Sequence, residues 1–159
     1  MSVVTDFVEK YGRYAYENEK RTGVPALVTL AQAAIESGWG KSAPGNMFFG
    51  VKADSSWTGA RQYLWTTEFI NGAYQKVQAW FRAYPSPLES FMDHGDFLRR
   101  NSRYKPAFQT NDPYAFAKAV ANAGYATDPN YYSKVADLIG QMSVPYDAVK
   151  KKLEAQPLT

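Results

Sequence analysis

Carboxylates are the side chains with which this chain can do acid–base chemistry. The 159-residue sequence has no cysteine and one histidine, His94, so it poorly supplies thiol nucleophiles, a serine triad or a histidine-rich zinc site. Glu36 has the most distinctive setting, because it ends an apolar stretch and precedes Ser37-Gly38-Trp39-Gly40. Desolvation there would raise its pKa toward the neutral range in which a general acid works. The same pattern also fits a glutamate that simply reaches solvent, so both interpretations stay open.

A glycosidase normally has a second carboxylate, which serves as the base that activates water or as a nucleophile. Five acidic residues of the sequence could fill this role, namely Glu68, Glu89, Asp93, Asp96 and Asp128. Their spacing does not select one of them. The acidic residues also lack the loop spacing of a calcium site, so the sequence predicts no metal and no cofactor.

Two helices are predicted around the position of Glu36. Apolar residues recur at helical spacing from Asp6 to Thr22, where Gly23 ends the run. Pro25 suits the first position of a second helix, and Gly38 suits its end. The second helix carries one apolar stripe, which predicts that it is buried. The stripe consists of Leu27, Leu30, Ala31, Ala34 and Ile35.

A β-hairpin is predicted in the middle of the chain. Helical periodicity is lost between Lys41 and Tyr84, and β-prone residues cluster at 63–69 and 74–84. Asn71-Gly72 lies between the two clusters, and both residues tolerate the positive φ of a tight hairpin turn. The sequence therefore predicts a small β-lobe beside the helices.

Helix start signals return three times in the second half of the chain. Ser86-Pro87-Leu88-Glu89 is typical of a capping box with proline at the first helical position, and its helix is predicted to end near Arg100. Asp112-Pro113 and Asp128-Pro129 predict two further helices of roughly ten to fourteen residues. Gly124 is predicted to close the earlier of them. The expected fold class is mainly α with a small β element (α+β).

One domain is predicted, followed by a short C-terminal segment. A chain of 159 residues suffices for one domain with a sizeable core. After Pro145 the sequence becomes charged and ends in Gln156-Pro157-Leu158-Thr159, which predicts a short final helix and a frayed tail. The predicted boundaries are residues 1–145 for the domain and 146–159 for the C-terminal helix and tail.

Charge and aromatic content indicate the class of partner. The net charge of +3 favours an anionic partner such as a bacterial wall polymer or a nucleic acid. The basic residues are scattered along the chain, so no nucleic acid is predicted. Aromatic residues make up 16% of the sequence. Ordinary packing accounts for many of them, and the surplus suits an extended groove whose aromatic faces stack on sugar rings.

No membrane anchor is predicted. The first ten residues lack an apolar run of signal-peptide length, and no stretch of about 18 apolar residues occurs. We therefore expect delivery by host lysis or by a specialised apparatus, or else a leader that is missing from this sequence.

The residues around Glu36 resemble the signature of glycoside hydrolase family 73. The similar string spans residues 30–42 and contains Ile35-Glu36-Ser37-Gly38-Trp39-Gly40. A second motif, at residues 46–53, departs from the family's usual Asn-Leu-Phe-Gly-Val-Lys by one extra residue or a shifted aromatic. Further matches follow in the family's order, at Trp57, 66–69, 81–84, 89–90, Asp93, 101–104 and 123–129. The resemblance covers almost the whole domain, from about residue 7 to residue 142.

This family holds bacterial endo-β-N-acetylglucosaminidases, including the hydrolase domain of flagellar rod-assembly proteins. The resemblance implies a lysozyme-like helical domain that faces a small β-hairpin lobe across a substrate cleft. It also implies cleavage of the β-1,4 bond that follows N-acetylglucosamine in peptidoglycan. Glu36 matches the family's catalytic acid, and Glu68 matches a base or water-positioning group of the β-lobe. Tyr125 matches a tyrosine near the catalytic centre, and Asp93 matches an acidic position that supports the site.

Five further residues are predicted to bind substrate. They are three tryptophans of the β-lobe and two residues of the second motif: Trp57, Trp65, Trp80, Asn46 and Phe49. Trp39 is instead predicted to pack beneath the turn that holds Glu36. His94 is predicted to be a partly exposed, hydrogen-bonded histidine rather than a catalyst.

Three alternatives stay open at this point. A lytic transglycosylase or a muramidase could use the same fold and acid, and a non-catalytic wall-binding module could retain the groove. The runs at 66–68 and 123–129 favour the glucosaminidase. Its stereochemical course depends on the separation of the two carboxylates, which the sequence does not define. We expect a monomer that acts on glycan strands of the wall, in the periplasm or outside the cell. Its role could be that of a phage lysin, of a wall-remodelling enzyme of a flagellar or secretion apparatus, or of an antibacterial effector.

Overall fold

The computed structural model describes residues 2–156, and the last three residues of the predicted tail, 157–159, lie outside them. Within the described residues the chain forms five α-helices: α1 (Val3–Thr22), α2 (Ala26–Ser37), α3 (Pro87–Arg100), α4 (Pro113–Asn122) and α5 (Tyr131–Ala155). It also forms two strands, β1 (Arg61–Ile70) and β2 (Ala73–Arg82). Short 3-10 helices span Pro44–Asn46 and Ser102–Gln109. The predicted fold class, mainly α with a small β element, is confirmed.

Helix α2 is the central element of the helical lobe. Nine of its twelve residues are buried, because α1, α4 and α5 all pack against it. It begins at Ala26, so Pro25 is its N-cap rather than its first residue as predicted. It ends at Ser37, because Gly38 adopts the left-handed conformation with φ 55°. Glu36 therefore lies on the last turn, at the point where α2 leaves the core.

Helix α1 packs against α2, α3 and α5. It begins at Val3 rather than at the predicted Asp6, because the Ser2 hydroxyl accepts a hydrogen bond from the Thr5 backbone N–H at 3.1 Å. Gly23 ends the helix as predicted, with φ 87°. Among residues 2–156, every helix is too short or too polar to cross a membrane.

Two predicted helix caps are wrong. At the start of α3 the Ser86 hydroxyl makes no capping hydrogen bond, so the capping box does not form. Helix α5 begins at Tyr131 with Asn130 as its N-cap, two residues after Asp128. The Asp128 carboxylate instead accepts hydrogen bonds from the Asn130 backbone N–H at 2.8 Å and the Lys134 ammonium at 2.6 Å. These bonds stabilise the turn that leads into the helix.

Helix α5 is 25 residues long, so the predictions of roughly ten to fourteen residues and of a separate final helix are wrong. Pro145 removes one helical hydrogen bond, but the helix continues because its neighbours are held by the core. Met142 and Tyr146 are buried, and Val149 packs so closely on Gly12 of α1 that an added Cβ would lie 3.1 Å from Val149 Cγ1. The predicted boundary between residues 145 and 146 therefore falls inside a continuous helix.

The predicted β-hairpin is confirmed. Strands β1 and β2 pair antiparallel over ten residues each. Asn71 and Gly72, with φ 52° and 81°, form the two-residue turn that the sequence indicated. At its base, the backbone N–H of Arg82 donates to the Val51 carbonyl at 3.0 Å. The hairpin is thereby attached to the segment that follows α2.

Candidate active site

A cleft of about 610 Å³ lies between the helical lobe and the hairpin, a volume typical of ligand sites. The end of α2, residues 42–54, β1, the second 3-10 helix and the loop between α4 and α5 line it. Five of the nine predicted site residues line this cleft: Glu36, Phe49, Trp65, Glu68 and Tyr125. Within residues 2–156, no group of three or more acidic, histidine or cysteine side chains could hold a metal ion.

Glu36 faces the cleft from the last turn of α2. The buried Ser37 hydroxyl stabilises this helix end, because it donates to the Ala33 carbonyl at 2.6 Å and accepts from the Gly40 N–H at 2.8 Å. Gly50, with φ 63°, packs against the acid, and a Cβ there would lie 3.3 Å from Glu36 Oε2. Glycine at this position therefore leaves room for the carboxyl group.

The environment of Glu36 raises its pKa from 4.5 to about 7. The main cause is loss of water around the carboxyl group, which disfavours the charged form, and the positive charge of Lys134 acts in the opposite direction. The side chain is open to the cleft, but densely packed protein surrounds the carboxyl group and limits its hydration. A carboxyl group with a pKa near 7 retains a large protonated fraction at neutral pH, as a general acid requires.

Glu68 faces the cleft from β1. Its Oε1 accepts a hydrogen bond from the Lys52 ammonium at 2.6 Å, and the two side chains are 25% and 54% exposed. This carboxylate is therefore oriented by one ion pair at the edge of the cleft rather than by a packed core. Glu36 and Glu68 therefore belong to different lobes and have different surroundings.

Tyr125 lines the cleft just after α4. Its ring stacks on Tyr131 with centroids 5.5 Å apart, and its hydroxyl lies 3.1 Å from His94 Nε2. Burial raises the pKa of Tyr125 well above 10, so the hydroxyl keeps its proton. Tyr125 can therefore offer an oriented hydroxyl group to a molecule in the cleft.

His94 is completely buried, and the prediction of a partly exposed histidine is wrong. Its ring stacks on Phe49 with centroids 3.9 Å apart and an interplanar angle of 15°. Burial lowers the pKa of His94 to about 3, so the ring is neutral at physiological pH. The predicted hydrogen bond is present, and its partner is the cleft residue Tyr125.

Asp93 lies outside the cleft lining and contacts the end of β2. Its carboxylate accepts two hydrogen bonds from Arg82 Nη1, at 3.1 and 3.2 Å, and one from the Tyr84 hydroxyl at 2.6 Å. The Arg82 side chain is only 2% exposed. Asp93 therefore neutralises a buried guanidinium group and joins α3 to the base of the hairpin.

Three residues predicted to bind substrate do not line the cleft, because local packing holds them elsewhere. The Trp57 ring packs edge-on against Tyr84 with centroids 5.7 Å apart. The Asn46 amide donates to the Tyr84 carbonyl at 2.9 Å. Trp80 pairs with Tyr63 at 5.0 Å on an exposed face of the hairpin. Trp39 is partly buried and packs edge-on against the core residue Phe7 rather than lining the cleft.

Sequence analysis missed the contacts that join the hairpin to the opposite wall of the cleft. The Phe69 backbone N–H donates to the Thr127 hydroxyl at 2.8 Å, and the Tyr74 hydroxyl donates to Asp128 at 3.2 Å. These bonds connect the tip of the hairpin with the loop between α4 and α5. The motif at residues 123–129 marked this loop, but nothing in it indicated partners more than 50 residues away.

Comparison with known proteins places these features in a family. Residues 12–144 match the glucosaminidase family, described as mannosyl-glycoprotein endo-β-N-acetylglucosaminidase. The peptidoglycan hydrolase FlgJ of Salmonella typhimurium is 40% identical over 157 residues, which cover 94% of this chain and 50% of that protein. The exo-glucosaminidase LytG of Bacillus subtilis is 32% identical over 161 residues, which cover 96% of this chain and 56% of that protein.

A solved structure has the same fold. A mutant peptidoglycan hydrolase from Sphingomonas sp. A1 superposes with a TM-score of 0.81 at 36% identity, covering 89% of this chain and 97% of the other. The lysozyme-like architecture of two lobes around a cleft is therefore shared with this enzyme. The chain spans only about half the length of the full-length relatives it matches.

Proposed function

The chain belongs to the glucosaminidase family of glycoside hydrolases, and from this premise we propose that it hydrolyses the glycan strands of bacterial peptidoglycan. The bond cleaved is the β-1,4 linkage between N-acetylglucosamine and the N-acetylmuramic acid that follows it. The observation that carries this proposal is the position of Glu36, which faces the cleft with a pKa near 7. A binding module has no need of a desolvated acid at that position.

In this proposal Glu36 is the general acid. It donates its proton to the glycosidic oxygen while the bond from that oxygen to the anomeric carbon breaks, and positive charge develops on the sugar ring. A water molecule then attacks the anomeric carbon and gives up a proton. Glu68 is proposed as the base or water-positioning group for this step, since it faces the same cleft from the other lobe.

The neighbouring residues bind and orient the sugar in this account. The Tyr125 hydroxyl is proposed to donate to the acetamido group of N-acetylglucosamine. Trp65, which is 67% exposed, offers an aromatic face at the mouth of the cleft. Asp93 is proposed to act indirectly, because it holds the base of the hairpin that carries Glu68.

We extend the substrate class from the peptidoglycan hydrolases that this chain resembles. The site of action is then the cell wall, in the periplasm or outside the cell, and the working unit is a monomer on a glycan strand. Delivery by a phage, a flagellar apparatus or a secretion apparatus fits this role equally well.

The chemistry of the new chain ends tests the proposal. Purified peptidoglycan is digested with the protein, the products are reduced with borohydride, and the terminal sugars are identified by mass spectrometry. Reduced N-acetylglucosamine is the expected end. Reduced N-acetylmuramic acid would establish a muramidase instead, and anhydro-muramic ends a lytic transglycosylase. If the walls of several bacteria stay intact, the protein is a binding module rather than a hydrolase.

A further inference from the structure

Glu36 and Tyr125 are connected through a short chain of contacts. Gly50 packs against the Glu36 carboxyl group, and the preceding residue, Phe49, stacks on His94. His94 then forms a hydrogen bond with Tyr125. The histidine does not line the cleft, so its influence on a bound sugar must pass through its neighbours.

The hydrogen bond between His94 and Tyr125 can run in two directions, and each leaves a different group free. If Nε2 carries the hydrogen, it donates to the tyrosine oxygen, and the tyrosine O–H can point into the cleft. If Nδ1 carries the hydrogen, the tyrosine O–H donates to Nε2 and is not free to donate to a ligand. The tautomer of the histidine therefore sets what Tyr125 offers to the substrate.

Burial favours the first of these arrangements. Nδ1 is buried and has no hydrogen-bond partner among residues 2–156. With the hydrogen on Nε2, Nδ1 is an acceptor that lacks a donor. With the hydrogen on Nδ1, a buried N–H group lacks an acceptor, which is the rarer situation in folded proteins.

We propose that His94 is a positioning residue: as the neutral Nε2–H tautomer it donates to the Tyr125 oxygen and leaves the Tyr125 O–H directed into the cleft. There the hydroxyl donates to the acetamido carbonyl of the bound sugar. The catalytic part of this inference rests on the proposed function, whereas the tautomer is a property of the folded chain alone.

The tautomer can be measured directly, because His94 is the only histidine of the chain. A long-range ¹H–¹⁵N correlation spectrum of the ¹⁵N-labelled protein contains one imidazole ring. We expect Nε2 to resonate as a nitrogen bonded to hydrogen and Nδ1 as a bare nitrogen, unchanged between about pH 5 and pH 8. A ring protonated at Nδ1, or one that becomes charged in this range, would overturn the proposal even if the protein proves to be a hydrolase.

Two variants test the link to the substrate. His94→Phe keeps an aromatic ring against Phe49 but deletes the hydrogen bond, and we expect about a tenfold loss in kcat with KM changed less than about twofold. His94→Gln restores an amide N–H near the position of Nε2 and should recover most of the loss. A merely structural histidine would instead show lower thermal stability without this split between kcat and KM.

A double-mutant cycle then identifies the residue through which His94 acts. Combined with Tyr125→Phe, the change His94→Phe should cost nothing further, since the hydroxyl it orients is gone. The matched control is Tyr146→Phe, because Tyr146 is a buried tyrosine away from the cleft whose hydroxyl has no partner among the described residues. Its effect should add to that of His94→Phe. Additive losses with Tyr125→Phe would contradict the proposal.

Discussion

The two lobes of this molecule hold their cleft carboxylates by different means. The helical lobe presents Glu36 from α2, whose residues are mostly buried. The hairpin presents Glu68 from a two-stranded ribbon that leaves Tyr63, Trp65 and Trp80 between 44% and 67% exposed. Glu36 stands at the exposed end of a helix that a packed core holds, whereas Glu68 stands on the ribbon and pairs with Lys52.

This difference supports the proposal that surroundings, rather than residue type, divide acid and base work between the two glutamates. Loss of water around the carboxyl group raises the pKa of Glu36 to about 7. The hairpin gives Glu68 a lysine partner, and hydrogen bonds from the hairpin tip to Thr127 and Asp128 hold the ribbon against the other lobe.

The largest expected effect is that of replacing Glu36 in the helical lobe. Glu36→Gln removes the transferable proton but keeps the shape of the side chain, so hydrolysis of peptidoglycan should fall by roughly 10³-fold. Binding to insoluble peptidoglycan, measured by co-sedimentation, should be retained. A variant that still lyses walls at the wild-type rate would rule out Glu36 as the acid.

The same substitution should affect stability in a pH-dependent way. The raised pKa means that the folded state holds a proton between pH 4.5 and about 7 that the unfolded state releases. Wild-type stability therefore falls as the pH rises through this window. Glu36→Gln should remove this fall, so its melting temperature should exceed that of the wild type at pH 8 and match it at pH 4. Equal melting temperatures at pH 8 would show that the carboxyl group is well hydrated.

On the hairpin side, Glu68→Gln should lower kcat by about 10²-fold if Glu68 is the base. Its effect on unfolding should stay below about 1 kcal/mol, since the pair with Lys52 is largely exposed. Lys52→Met tests the orientation of the carboxylate and should lower kcat less than Glu68→Gln does. Unchanged kcat in Glu68→Gln would mean that the hairpin contributes no catalytic carboxylate.

The junction between the two lobes should be sensitive in stability. Asp93→Asn leaves the Arg82 guanidinium, only 2% exposed, without its main counter-charge, and should cost about 3 kcal/mol of unfolding free energy. Asp96→Asn is the matched control on the same helix, because its pair with Arg21 is exposed and should be worth less than about 1 kcal/mol. Urea denaturation measures both. Equal costs would contradict the view that Asp93 anchors the hairpin.

The smallest effect is expected on the exposed face of the hairpin. Trp80→Ala should change kcat/KM for soluble glycan fragments less than twofold or so, because the side chain does not line the cleft. Trp65→Ala, which alters a cleft residue on the same hairpin, should raise KM by about tenfold. The opposite ranking would mean that the sugar contacts Trp80 rather than Trp65.

Local signals were sufficient for much of this fold. Asn71-Gly72 predicts the hairpin because its turn depends only on two adjacent residues. Glycines after α1 and α2 predict the ends of those helices for the same reason. The position of Glu36 at the end of a buried helix follows from these two signals and the apolar stripe.

The failures share a different cause, since each depended on a distant partner. Pro145 did not end α5, because packing on α1 held the helix together. The sequence predicts a partly exposed His94, but the residue is buried because Phe49 and Tyr125 pack against it. Trp57 and Trp80 belong to the predicted lobe, but Trp57 packs on Tyr84 and Trp80 on Tyr63, and neither lines the cleft. Sequence order alone does not contain these contacts.

The pH dependence of kcat/KM tests the central claim most directly, because it reports ionisation in the free enzyme. Activity on soluble glycan fragments should decline on the alkaline side with an apparent pKa near 7, the value to which desolvation raises the pKa of the Glu36 carboxyl group. In Lys134→Met, which removes the positive charge that lowers this pKa, the decline should move to higher pH. A decline already centred near pH 4.5, or one that Lys134→Met leaves in place, would contradict the assignment of Glu36 as the desolvated acid.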